Sequence, residues 1–169
     1  MSNFKEIKPN ELNESTFKLI GDDWMLITAE KDGKVNSMTA SWGGFGILWS
    51  KSVVYTFVRP QRYTKEFIDA SPTFSLTFFD ESFKKDLSYL GTVSGRDEDK
   101  LSKTKLNVTY IDGTPGFNEA KLTIICRKIY AQELDPNCFI DKTIDNKIYP
   151  TKDYHTVYVS EVEKILIND

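Results

Sequence analysis

Short β-prone runs, each stopped by turn residues, recur along the whole chain and limit what it can fold into more than any other feature. Trp24–Ala29 is apolar and β-prone, Asp32-Gly33 follows as a turn signal, and Val35–Ser41 resumes in extended form, which predicts a hairpin. Ser52–Val58 (SVVYTFV) is rich in β-branched and aromatic residues and ends at Arg59-Pro60. There proline removes a ladder donor and biases the residue before it against α conformation. Thr73–Phe79 (TFSLTFF) is a further strand, with Phe74, Leu76 and Phe78 at alternate positions. Ala120–Leu134 and Tyr154–Ile167 read as long strands, bulged in places, with helix as the competing reading for each.

Helical spacing is confined to short stretches. Phe67 and Ala70 fall three apart between Tyr63 and the closing Ser71-Pro72, and the segment after the next strand sets Phe83, Leu87 and Leu90 on one face. Gly91–Lys103 is a polar, glycine-bearing loop running into a short helix, and Asp112-Gly113 to Pro115-Gly116 is a second loop cluster. Six or more strands with two or three short helices predict a mainly β, α+β fold: an antiparallel barrel decorated by helices, with sites at the ends where loops gather. No repeat, linker or low-complexity segment interrupts the 169 residues, so residues 1–169 are expected to form one domain.

A net charge of −3 argues against a nucleic-acid partner, which requires a concentrated basic face. The opening MSNFKEIKPN lacks the apolar stretch of a signal peptide, and no run approaches the ~20 apolar residues of a spanning helix, so a cytoplasmic protein without membrane attachment is expected. Cys126 and Cys138 lie outside any C-x-x-C arrangement and have one histidine to partner them, which disfavours a metal site. In a reducing compartment both are expected to be unpaired thiols, Cys126 buried in a strand.

The chemistry concentrates in residues 36–64. Backbone N–H groups and small polar side chains of Asn36, Ser37, Met38, Thr39, Ala40 and Ser41 suit the edge of a planar ring, and Trp42 suits either stacking on it or the core. A polar-faced strand entering a glycine turn accounts for the same residues. Arg59 and Arg62, followed by Tyr63 and Thr64 at a helix start, bring charge, bidentate donors and a helix dipole together, as a phosphate monoester requires. A surface ion-pair cluster would explain the arginines but not the proline-fixed turn into a helix. Ser94, Gly95 and Lys100 offer close backbone approach and a further cation, although a charged loop capping a helix with Asp97 explains that segment equally well. A planar ring and a phosphate together point to flavin mononucleotide (FMN). His155, the one imidazole, has no nucleophile or carboxylate evident beside it, which favours a structural or substrate-positioning part over an acid or base.

These segments in this order resemble the flavin reductase-like family with the FMN-binding split β-barrel, which includes flavin reductases and the electron carrier flavoredoxin. The resemblance rests on Asn36-x-Met38-Thr39-x-Ser41-Trp42-Gly43, Val58-Arg59-Pro60-x-Arg62-Tyr63-Thr64, Ser94-Gly95-Arg96-Asp97-x-Asp99-Lys100, Glu119-Ala120 before Cys126, and His155 at the start of the last strand. It implies a homodimer that binds FMN non-covalently near the subunit interface, the first segment along the isoalloxazine and the arginine segment at the phosphate. It also implies hydride transfer from the nicotinamide of NADH or NADPH to flavin N5, with electrons passed on to free flavin, oxygen or a protein. No essential acid or base is named, because the cofactor carries the chemistry. The alternative within the family is a flavoredoxin-like carrier with a protein redox partner and little NAD(P)H activity. Ser52 stands where the family often has proline, and Leu101 where it often has phenylalanine.

Overall fold

The computed structural model describes residues 4–168. In chain order the strands and helices are β1 (Phe4–Ile7), β2 (Met25–Lys31), β3 (Lys34–Ala40), β4 (Gly43–Leu48), β5 (Lys51–Val58), α1 (Tyr63–Ala70), β6 (Thr73–Phe78), α2 (Lys84–Thr92), β7 (Val108–Ile111), β8 (Thr114–Phe117), β9 (Leu122–Glu133), α3 (Thr143–Ile148) and β10 (Thr156–Asn168).

One antiparallel sheet runs in the order β3-β2-β6-β9-β10-β5-β4, with β1 added to the far half of β10, while β7 and β8 form a separate ribbon. The two ends of that path, β3 and β4, are joined by Ser41 and Trp42 alone. Six strand-to-strand steps of about 4.8 Å would place them roughly 29 Å apart in a flat sheet, whereas this link spans at most about 11 Å. The sheet must therefore curl until its ends meet, and Ser41-Trp42 lies at the junction.

The predicted hairpin is β2–β3, turning at Asp32-Gly33 with both φ angles positive. The helices at 63–70 and 84–92 and the strands at 51–58 and 73–78 fall where their periodicity placed them. The long segments are strands, and the helical alternative fails for both. They pair with each other through two register shifts, at Val159/Ser160 and Val162/Lys164, which are the expected bulges. Gly43–Gly46, read as a turn, is instead the edge strand β4, and Asp112-Gly113 is the turn of the β7–β8 hairpin rather than a loop cluster. Helix α3 had no signal in the sequence reading.

β2 is buried on both faces: Met25, Ile27 and Ala29 enter the barrel core, while Leu26 joins a second cluster under α2 with Phe79, Leu87, Leu90 and Phe117. This double burial explains the continuous apolar run at 24–29. Phe67 and Ile68 of α1 close the main core from outside. Cys126 is a buried free thiol and Cys138 an exposed one. Among the described residues no helix is long and apolar enough to cross a membrane.

Candidate active site

Two concavities meet where the end of β3 faces the β5–α1 turn. They share Met38 and Arg62, so they form one continuous site.

The first, about 170 Å³, is an anion cradle. Asn36, Thr64, Ser94, Gly95 and Lys100 line it together with Gln61, Arg62, Tyr63, Thr92 and Val93. Pro60 ends β5 and the chain turns into α1, whose first-turn N–H groups have no partner within the helix. Asn36, 3 % exposed, donates from Nδ2 to Thr64 Oγ1 at 2.8 Å, tying β3 to that helix start. Gly95 is required by close approach, since a Cβ there would lie 2.2 Å from Asn36 Oδ1. Arg62 Nη1 donates to Gly91 O at 3.0 Å. Lys100, 3 % exposed, donates to Leu90 O at 2.8 Å and Val93 O at 3.0 Å, covering the carbonyl end of α2. Burial, and then the charge of Arg62, lowers the Lys100 ammonium to about 8. Among the described residues neither cation has a carboxylate partner. A buried ammonium and a half-buried guanidinium, each bonded to carbonyls and to no carboxylate, leave a demand for an anion.

The second concavity, about 220 Å³, is lined by Met38, Thr39, Ala40 and Ser41 on one side, and by Trp42, Phe57, Arg59, Arg62 and His155 on the other. Phe57 escaped the sequence reading, although strand alternation signals it: Val54, Thr56 and Val58 are buried, which turns Phe57 to the opposite face. Trp42 is 47 % exposed, with its ring 5.1 Å from that of His155. The Tyr149 hydroxyl lies 2.8 Å from His155 Nδ1. Burial pushes the imidazole down to about 4, Arg59 acting in the same direction and Asp153 against it.

Two predicted site residues take other places. Ser37 turns inward, bonded to Thr28 Oγ1 at 2.9 Å and to Ile27 O, and lines neither concavity. Arg59 lies in the second concavity and not in the cradle with Arg62 and Thr64. Its guanidinium pairs with Asp153, donates to Ile148 O at 3.1 Å and sits over the Tyr149 ring at 5.1 Å. Gln61 and Arg59 hold the Asp153 carboxyl well below the usual carboxylate range. Arg59 thus clamps the segment between α3 and β10 onto the barrel.

Fold and cleft together define a split β-barrel with an anion cradle beside an aromatic, glycine-flanked groove. The chain belongs to the flavin reductase-like domain family, whose model it matches over residues 18–169. No curated protein matches it significantly. Among solved structures it is similar to an FMN-binding domain of a flavin reductases-like enzyme from Shewanella baltica OS155, with TM-score 0.71 and 17% identity over 99% of this chain and 78% of that one. It is also similar to flavoredoxin of Desulfovibrio vulgaris (Miyazaki F), with TM-score 0.69 and 17% identity over 96% and 78%. The styrene monooxygenase flavin reductase of Pseudomonas putida S12 gives TM-score 0.63 and 17% identity over 85% and 77%.

Proposed function

We propose that this protein binds FMN non-covalently, with the phosphate held by Arg62, Lys100, Thr64 and the Ser94-Gly95 turn, and works as a cytoplasmic flavin reductase supplied by NADH or NADPH. The observation that carries this reading is the pair of cations, half-buried Arg62 and buried Lys100, with carbonyl partners only. A phosphate monoester, carrying up to two negative charges, matches that pair and the N–H groups at the start of α1, of which that of Lys65 already bonds Arg62 O. Met38, Thr39, Ala40 and Ser41 would lie along the ring system, with Asn36 holding Thr64 in place and Tyr63 walling the cradle. FMN supplies the redox chemistry when bound, accepting hydride from the nicotinamide and passing electrons on to a free flavin, oxygen or a protein. The chain's own part is to fix the ligands and exclude water. His155 stays neutral in the working pH range and positions the second ligand rather than ionising. Arg59, expected at the phosphate, is assigned to shaping the groove.

The reading includes the homodimer that the family resemblance implies. Exposure of Trp42 at the groove mouth favours, as the second reading, an electron carrier that passes electrons directly to a protein partner. An anaerobic absorption spectrum of the FMN-reconstituted protein separates the two. Rapid bleaching on addition of NADH or NADPH is the expected outcome. Bands that persist until dithionite is added would establish the carrier, and a protein that takes up no FMN would overturn both.

A further inference from the structure

His155 and Tyr149 are both buried, one at the start of β10 and the other at the end of α3, and their side chains meet at a single hydrogen bond. The position of the proton in that bond follows from counting donors and acceptors. Burial pushes the Tyr149 phenol up, so the hydroxyl keeps its proton. Nothing else among the described residues accepts that proton, and Nδ1 of His155 lies 2.8 Å away. If Nδ1 carried hydrogen instead, a buried phenol proton would be left without an acceptor, which is costly. An imidazolium would have the same orphan and would add a charge beside Arg59. The only proton-bearing ring nitrogen left is Nε2, which has no partner among the described residues, on a side chain that lines the groove beside Trp42.

We infer that Tyr149 is a positioning residue that fixes His155 as its neutral Nε2–H tautomer, so that the groove presents an uncharged hydrogen-bond donor to a carbonyl-type oxygen of the second ligand. The charged and titratable groups around the imidazole agree with this. Arg59 at the end of β5 and Arg62 at the start of α1 line the same groove, and Asp153, before β10, is already engaged by Arg59 and Gln61. With two guanidiniums present, a neutral donor adds direction without adding charge. It would select a ligand by an oxygen acceptor such as a carboxamide, and not by an anionic group. The identity of that ligand rests on the reductase reading, whereas the tautomer does not.

His155 is the one histidine of the chain, so its ring nitrogens are read without assignment in a long-range 1H–15N correlation spectrum of 15N-labelled protein. We expect a bare Nδ1 and a protonated Nε2 from pH 8 to pH 5, with on the order of one molecule in a hundred carrying imidazolium at pH 6. Tyr149→Phe keeps the ring against Phe139 and Tyr154 but removes the donor. It should yield mixed tautomers, an upward shift in the titration midpoint, and a new acid-side inflection in kcat/KM for NADH that the wild type lacks. A wild-type spectrum showing Nδ1–H, or titration at the ordinary histidine value, overturns the proposal even if the variant does not fold. An unchanged spectrum in Tyr149→Phe overturns it as well. If the tautomer is as stated but neither FMN nor NADH perturbs the ring signals, the reductase reading fails while the role of Tyr149 stands.

Discussion

Lys100 has two carbonyls and a guanidinium for neighbours, and this makes its charge conditional on pH. Its ammonium loses its proton at about 8 in the free protein, whereas a bound phosphate would raise that value. Binding above pH 8 then requires proton uptake, so the FMN dissociation constant should rise by up to about tenfold per pH unit there and level off between pH 7 and 7.5, where the phosphate, with its second pKa at about 6, is already mostly a dianion. Lys100→Arg retains a fixed charge and should remove the step. Fluorescence titration of FMN across this range checks both, and a flat wild-type profile would remove Lys100 from the phosphate site. Residue placement was legible where it depends on local order, as in Arg62-Tyr63-Thr64 and Ser94-Gly95, which line one cradle. It was not legible where the partner is distant. Arg59 looks like a phosphate ligand until Asp153, 94 positions on, claims it, and Ser37 looks like a ring contact until strand parity turns it toward Thr28.

The elements divide along the same line. Three hairpins turn through two consecutive residues of positive φ: Asp32-Gly33, Trp49-Ser50 and Asp112-Gly113. Asp-Gly announces such a turn, and so the β2–β3 hairpin was readable. Trp49-Ser50 carries no such signal, because long-range pairing of β5 with β10 and of β4 with β5 imposes the conformation on residues that disfavour it. The same context makes a strand of the glycine-rich 43–46 segment, which propensity alone assigns to a turn. These turns differ in stored cost. Ser50→Gly should stabilise the protein by about 0.5 kcal/mol, the relief of left-handed φ less the entropy of glycine. Gly33→Ala, whose Cβ would meet nothing within 4 Å, should cost about 1 kcal/mol through φ alone. For a chain of this size the two correspond to about 1–2 °C up and 2–4 °C down in Tm, measurable by calorimetry. A loss of stability in Ser50→Gly would show that the Trp49-Ser50 turn is not strained.

At the scale of the whole molecule, the site is assembled from segments far apart in sequence: the end of β3, the β5–α1 turn, the loop after α2 and the start of β10. No one of them holds the cradle alone. Asn36 reaches Thr64 across 28 residues, and Lys100 and Arg62 grip the same end of α2 from two directions. A ligand that occupies both concavities therefore cross-links the barrel, and its binding energy appears as global stability. At 100 times its dissociation constant FMN should add about 2.7 kcal/mol, or roughly 5–10 °C in Tm for a domain of this length. Riboflavin has the same ring without the phosphate. Each charge-assisted hydrogen bond to Arg62 or Lys100 is worth about 1.5–3 kcal/mol, so riboflavin at the same concentration should shift Tm by no more than about 1–2 °C. Equal shifts from the two ligands would mean that Arg62 and Lys100 serve the α2 carbonyls and not a phosphate. A shift from neither would remove flavin from the site, and the expected inequality would locate most of the affinity in the cradle, leaving the Trp42–His155 groove free to set which second ligand is accepted.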